Sequence, residues 1–167
     1  MTAEHLEDWT TTESARLAHL LVAQPFIGSA AAVRRAIEHP DAWLGQRVTT
    51  DEPGSGRRYL TDLRLRIGDQ PGRATFHKAA YVDLGRVRRM GEREEVEVSW
   101  RAATLAPLFP VFSGKLTFGG DELRLEGWYA PPGGAIGFVA DRALLKIAAR
   151  GTGRWFLDEL VEAADRG

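Results

Sequence analysis

The sequence contains no cysteine among its 167 residues. This absence excludes disulfides, thiolate catalysis and thiolate metal sites. Long apolar runs are also missing, since none approaches the roughly 20 residues that a membrane-spanning helix needs. The first residues include several acids and lack an apolar core, which is not the pattern of a secretory signal peptide. We therefore expect a cytoplasmic protein without stable membrane insertion.

Neither sign of charge is in excess. The chain has 22 basic and 23 acidic residues and a net charge of −1, so no strong field would attract nucleic acid, and no nucleic-acid partner is expected. The four histidines show no HxH or HxxxH spacing, so neither a metal site nor a cofactor is predicted. Arginine far outnumbers lysine, and together with abundant alanine and glycine this composition suggests a bacterial source.

Length and composition predict one domain. The hydrophobic fraction of 44% and the charged fraction of 27% are typical of globular proteins, and 167 residues can bury a sizeable core. No internal repeat is visible. Residues 1–17 are polar and are predicted to form a loose arm, followed by a single domain over residues 18–167.

Apolar residues alternate with polar ones through most of the chain. After a first strand and a short helix over residues 30–38, with Ser29 as its N-cap and Pro40 at its end, this alternation predicts an antiparallel sheet with one wet face. Glycine-rich turns are expected at residues 52–56, 68–72, 85–91 and 119–121. The predicted strands are residues 19–26, 47–50, 58–67, 74–84, 94–102, 111–118 and 123–129.

The last third of the chain predicts one long helix. A Pro-Pro-Gly-Gly break at 131–134 leads into an apolar stripe over residues 138–164, with spacings of three to four residues. Gly151 and Gly153 interrupt this helix, and each costs about 1 kcal/mol relative to alanine. Close packing against the sheet, room for a ligand, or a kink would each explain them.

Two stretches resemble a known superfamily. Residues 31–43 (AAVRRAIEHPDAW) and residues 116–160, which hold the last hairpin, the Gly/Pro loop and the closing helix, are similar to the START-like superfamily, also called SRPBCC or polyketide cyclase/dehydrase-like. The resemblance covers residues 18–164. It implies an α+β helix-grip fold, in which a curved antiparallel sheet of six to seven strands wraps around a long C-terminal helix.

Lys78 is the most unusual residue of the predicted strands. It shares its parity with Phe76, Ala80 and Val82, so it is predicted to point inward, where an ammonium group could pair with a ligand carboxylate. A snorkelling lysine near a strand end, or a bulge that shifts the register, is the alternative.

Three aromatic residues complete the predicted ligand-binding set. Tyr59, Trp100 and Tyr129 could line a cavity together with Lys78, and the tyrosine hydroxyls would serve as polar contacts. Ordinary core packing is the alternative for each. No catalytic residue is assigned, because His77 faces outward in this register and no Ser, Asp or second His stands at a spacing that makes a dyad.

The resemblance implies a hydrophobic cavity between sheet and helix. Members of the superfamily hold lipids, sterols, polyketides, hormones or quinones, and some catalyse cyclisation or hydrolysis. We expect a carrier of a small hydrophobic molecule such as a lipid, polyketide or quinone-like compound. The alternatives are a cyclase or dehydratase that uses Lys78 or a tyrosine as acid/base, and an interaction module whose cavity its own aromatic side chains fill. Trp128, on the polar parity, would be a surface residue or a homodimer contact.

Overall fold

The computed structural model describes residues 17–49, 56–66, 75–104, 111–130 and 142–167. Several predicted features lie outside this part: residues 1–16 of the arm predicted at 1–17, residues 52–55 of the turn predicted at 52–56, the turn at 68–72, the Pro-Pro-Gly-Gly break and residues 138–141 of the predicted last helix. The elements are β1 (Ala18–Pro25), α1 (Ala30–Glu38), a 3₁₀ turn (Pro40–Ala42), β2 (Gln46–Val48), β3 (Arg57–Arg66), β4 (Thr75–Leu84), β5 (Arg88–Met90), β6 (Arg93–Ala102), β7 (Val111–Phe118), β8 (Glu122–Ala130) and α2 (Arg142–Arg166).

The described strands form one curved, open antiparallel sheet. Their order is β1-β8-β7-β6-β4-β3-β2, with β5 beside β6. The α+β class and the closing C-terminal helix are confirmed, but the sheet has eight strands where six to seven were predicted. The missed strand is β5, which lies within the turn predicted at 85–91. All three of its residues are exposed, so it has no buried face and shows no apolar alternation.

One face of the sheet is buried, and we call it the inner face. In β6, Val96, Val98 and Trp100 are each 1% exposed. Glu97, which lies between the two valines, and Arg101, which follows Trp100, are exposed. This strict alternation confirms the predicted sheet with one wet face, because successive strand side chains point to opposite faces.

Helix α1 begins and ends where its sequence predicts. The Ser29 side chain accepts a hydrogen bond from the Ala32 N–H at 3.1 Å, and His39 with Pro40 ends the helix. On its polar side, Arg34 Nε donates to Glu94 Oε2 at 2.8 Å. Glu94 is buried, and a buried carboxylate needs such a partner, so this ion pair connects α1 to β6.

Helix α2 lies across the inner face and contacts β1, β3, β8 and α1. A Cβ at Gly153 would lie 3.0 Å from Val22 Cγ2 and 3.4 Å from Leu125 Cδ2. Of the three explanations for this glycine, close packing against the sheet is therefore the one that the structure supports. Within the described residues, no helix combines the length and the apolar character needed to cross a bilayer.

Candidate functional site

Five inner-face residues form a straight line across the sheet. Directly paired positions on neighbouring strands run from Tyr129 to Phe112, to Trp100, to Val82 and to Tyr59. All five are buried. Four of them are aromatic and the fifth is Val82, and we call the set the aromatic row. The structure thus brings together three of the four predicted ligand-binding residues, which come from three different strands.

The middle of the aromatic row is filled by stacked rings. Trp100 and Phe112 lie 4.2 Å apart between centroids at an interplanar angle of 24°. Phe156 of α2 lies 5.9 Å from Trp100, and Trp43 meets Phe156 edge-on at 5.5 Å. We call these four aromatic residues the packed cluster. Such stacked and edge-on pairs stabilise a core beyond the area they bury.

Two glycines make room for the packed cluster in the sheet. Gly114 and Gly127 face each other on β7 and β8. A Cβ on Gly114 would lie 2.7 Å from Phe112 Cζ, and one on Gly127 would lie 2.9 Å from Phe112 Cε2. The backbone of the neighbouring strand is closer still, with the Glu126 carbonyl oxygen nearest to a Cβ at Gly114 and the Ser113 carbonyl oxygen nearest to one at Gly127. The close approach of β7 and β8 and the Phe112 ring together therefore require glycine at both positions.

Small side chains occupy the next inner positions. Thr61 pairs with Ala80, and Ala80 pairs with Ala102, so these three residues form a line beside the aromatic row that we call the small-residue strip. Thr61 and Ala80 are buried and Ala102 is half-buried. Threonine and alanine rise far less from the sheet than tryptophan and tyrosine, and because Thr61 is 7% and Ala80 0% exposed, other groups of the protein cover this strip.

Lys78 follows the small-residue strip on the same face. It pairs with the fully buried Leu63 and is itself half-buried. The pairing of β3 with β4 continues without interruption over ten residue pairs, so the alternative of a bulge that shifts the register is excluded. Lys78 thus lies at an inner-face position beyond Ala80, at the opposite side of the strip from the aromatic row.

Two indole groups in the core find no acceptor in the part of the chain that the structure describes. Trp100 Nε1 and Trp155 Nε1 are buried, and neither has a hydrogen-bond partner within the described residues. An indole N–H can only donate, and leaving a buried donor unsatisfied costs about 1–3 kcal/mol. Both groups would therefore be stabilised by an acceptor oxygen brought in by another molecule.

Both tyrosines of the aromatic row keep their protons at neutral pH. Burial raises the pKa of Tyr59, against the opposing effect of Arg57 and Arg47. Burial also raises the pKa of Tyr129, with Arg150 opposing it. Each hydroxyl is a neutral group that can donate or accept a hydrogen bond, and that of Tyr59 already interacts with the Arg57 side chain.

An acid–histidine pair lies on the opposite face of the sheet. His77 Nδ1 and Asp62 Oδ2 are 2.6 Å apart, and both side chains are exposed. Sequence spacing gives no sign of this contact, because the two residues are brought together only by the register of β3 and β4. Its outward placement separates the pair from the inner face.

Other predicted surface features can be located as well. Trp128 is 54% exposed, as its parity predicts, and it contacts the His19 ring edge-on at 5.1 Å.

In the part of the chain that the structure describes, no three His, Asp or Glu side chains are grouped so that they could hold a metal ion.

The fold defines an α+β protein with a helix-grip-like arrangement of a curved sheet and a long C-terminal helix. No family model and no curated protein matches the chain. Among solved structures, the chain is similar to the crystal structure of DynU16, a protein in the dynemicin biosynthetic locus, with 16% sequence identity and a TM-score of 0.39 over 90% of this chain. The match covers 47% of DynU16, so this chain spans about half of its length. A likeness at this TM-score carries no argument about function.

Proposed function

We propose that the chain is a START-like protein that holds a small, largely apolar ligand on the inner face, between the small-residue strip and α2. The observation that carries this proposal is the pair of buried indole N–H groups of Trp100 and Trp155, for which the described residues offer no acceptor. Buried polar groups in folded proteins are almost always hydrogen-bonded. A bound molecule that carries an acceptor oxygen would supply the missing partner.

The proposed ligand has an apolar body and at least one acceptor oxygen. Methyl groups of Thr61, Ala80 and Ala102 would contact the body, and Trp100 with Tyr59 would form a wall beside it. Lys78 and both indole N–H groups can only donate hydrogen bonds, so the acceptor atoms would come from the ligand. A lipid, polyketide or quinone-like molecule has this combination of apolar surface and oxygen acceptors, and Tyr129 would contact its far end.

We favour carriage over catalysis. General acid–base catalysis needs a proton-transferring group within hydrogen-bond reach of the substrate. The His77–Asp62 pair lies on the outer face and cannot reach a molecule bound on the inner one. A cyclase or dehydratase would have to rely on Lys78 or a tyrosine acting alone.

A second candidate function is supported by the packed cluster. Trp100, Phe112 and Phe156 already fill the centre of the inner face. If side chains fill the remaining space too, the chain would act as an interaction module without a small ligand. The burial of Thr61 and Ala80 is compatible with both functions, so the unpaired indole groups, and not the small-residue strip, are what favour a ligand.

Native mass spectrometry of the freshly purified protein tests the proposal. We expect a discrete excess mass that disappears on denaturation, and solvent extraction of the denatured sample should yield an oxygen-containing apolar compound. A bare mass, together with no binding of a hydrophobic dye to the native protein, would favour the filled interaction module instead.

A further inference from the structure

We infer a dimerisation surface at the open edge of the sheet, where β1 pairs in antiparallel fashion with the β1 strand of a second copy of this chain. Among the described strands, β1 lies at one end of the sheet and has β8 as its one partner. An edge strand presents unpaired backbone N–H and C=O groups on its other side, and a further strand can bind them. We call this open side the β1 edge.

The two edges of the sheet differ in length and charge. At one end, β2 has three residues (Gln46–Val48), and the exposed Arg47 lies in its middle. Short strands and charged side chains are two devices by which proteins prevent edges from pairing. At the other end, β1 has eight residues, AHLLVAQP, and none of them is Asp, Glu, Lys or Arg. The β1 edge therefore has neither of the two devices that protect β2.

The backbone of β1 directs every second residue toward the open side. The Phe26 N–H donates to the Asp121 carbonyl oxygen at 2.8 Å, which continues the register of β1 with β8. Bonding residues alternate along an antiparallel strand, so every second residue before Phe26 faces β8 as well. The residues between them, among which are Leu21 and Ala23, direct their N–H and C=O groups away from the sheet. Pro25 takes such an outward position, where its missing N–H costs no bond to β8.

These backbone groups select a two-fold pairing centred on Leu21. Around this centre, Leu21 lies against the same residue of the second copy and His19 lies against the second copy's Ala23, so each outward N–H finds a carbonyl acceptor. Pro25 falls at the end of the pairing, against Leu17. A centre at Ala23 would place Pro25 opposite Leu21 and lose a bond. A centre at His19 would leave Ala23 beyond the start of the other β1 strand.

The side chains along the β1 edge favour the same partner. Leu17 and Leu21 are 45% and 41% exposed, and both have the parity of the outer face. The two-fold pairing covers them, because Leu17 meets Pro25 of the second copy and Leu21 meets its own equivalent. A strand rich in charged residues, such as β3 or β6, would instead place charges against these leucines. A second copy of β1 is apolar where this strand is apolar, so the chain is its own complementary partner.

Sedimentation velocity of the full chain over a range of concentrations tests the inference. We expect a monomer–dimer equilibrium with a dissociation constant on the order of 10 µM. Leu21→Lys should raise this constant at least about tenfold, because the two-fold axis would bring two lysines face to face. Val111→Lys, at an exposed position of β7 away from the β1 edge, should leave it unchanged. A monomer throughout would overturn the inference, as would equal weakening by both variants.

A backbone pair tests whether the contact is made by strand pairing. Ala23→Pro removes one outward N–H and keeps the bonds between β1 and β8, whereas Ala23→Ser keeps every N–H. We expect the proline variant to raise the dissociation constant at least about tenfold and the serine variant to behave like the parent. Circular dichroism checks that both variants fold. Equal dimerisation of two folded variants would contradict pairing through the β1 backbone.

Single cysteines test the register, because the sequence has no cysteine of its own. At the two-fold centre, the Cα atoms of paired residues lie about 5.5 Å apart, which is within reach of a disulfide. The two copies of residue 23 would lie about 13 Å apart along the strands. Mild oxidation should therefore link Leu21→Cys into a covalent dimer at least about tenfold faster than Ala23→Cys. Equal linking of both variants, or faster linking of Ala23→Cys, would contradict the pairing.

Discussion

The packed cluster and the small-residue strip lie side by side on the same face of the same strands. In the packed cluster, large aromatic rings stack on one another, and the Phe112 ring lies against Gly114 and Gly127, where a Cβ would clash with it. In the strip, the short side chains of Thr61, Ala80 and Ala102 occupy paired positions, and Thr61 and Ala80 are buried beneath other groups. Both regions follow the same period-two alternation, so what separates a filled core from a candidate ligand site is side-chain size at paired positions.

The largest effect is expected from emptying the packed cluster. Phe156→Ala removes the ring that touches both Trp43 and Trp100, and such a deletion in a core costs about 3–5 kcal/mol. Urea unfolding measures this loss. Ile147→Ala on the exposed side of the same helix is the control and should cost less than about 1 kcal/mol. A similarly small loss for Phe156→Ala would mean that the cluster is not closely packed.

Filling the small-residue strip should affect binding more than stability. Ala80→Trp is expected to abolish ligand uptake while the protein still folds, with a stability loss within the roughly 1–3 kcal/mol of overpacking. Native mass spectrometry shows whether the excess mass persists. Ala79→Trp, at the exposed neighbouring position, should keep the ligand. Unchanged uptake in a folded Ala80→Trp variant would contradict the placement of the ligand over the strip.

A larger side chain between α2 and the sheet is expected to cause an intermediate loss of stability. Gly153→Leu would press a side chain against Val22 and Leu125, where even a Cβ is already close. We expect a loss of about 1–3 kcal/mol in urea unfolding. An unchanged or higher stability would show that the helix can move away from the sheet freely, which would weaken the claim that packing fixes the width of the inner space.

The smallest effect concerns the outer face and depends on pH. Burial raises the pKa of Glu126, but hydrogen bonds from Arg124 and His19 outweigh it and lower the pKa below the ordinary 4.5. A carboxyl with a lowered pKa in the folded state stabilises the protein above pH 4.5, and this contribution is lost as the pH falls through its folded-state pKa.

Glu126→Gln therefore should lower the melting temperature slightly at pH 7, and the difference from the parent should shrink well below pH 4.5. Thermal unfolding at both pH values measures it. A difference that stays constant with pH would show that the carboxylate charge contributes nothing. Because Glu126 is on the outer face, ligand uptake should not change, which separates this variant from those of the inner face.

Much of the fold follows from the sequence. Alternation in β6 and β8 predicts which side chains are buried, and the Ser29 cap with Pro40 predicts the limits of α1. The close contact at Gly153 was one of three explanations that the sequence allowed. Strand β5 was missed because its three exposed residues carry no signal of a buried face, and only its partner β6 defines it.

The candidate site is less visible in the sequence, because it depends on register between distant strands. Parity places Tyr59, Trp100 and Tyr129 on one face, but only the pairing of five strands aligns them in one row. The same holds for the small-residue strip and for the His77–Asp62 contact. That Trp100 and Trp155 find no acceptor among the described residues cannot be predicted from sequence, since hydrogen-bond partners are set by tertiary packing.

The most direct test of the account is to compare the NMR signals of the two buried indole N–H groups in two samples. The first is the protein as purified, and the second is the same protein after the bound molecule has been removed by denaturation, extraction and refolding. Single Trp→Phe variants assign the signals of Trp100, Trp155 and the exposed Trp128. We predict that the N–H signals of Trp100 and Trp155 shift when the ligand is removed and that the signal of Trp128 does not. Identical spectra of the two buried groups before and after extraction would contradict a ligand bound on the inner face.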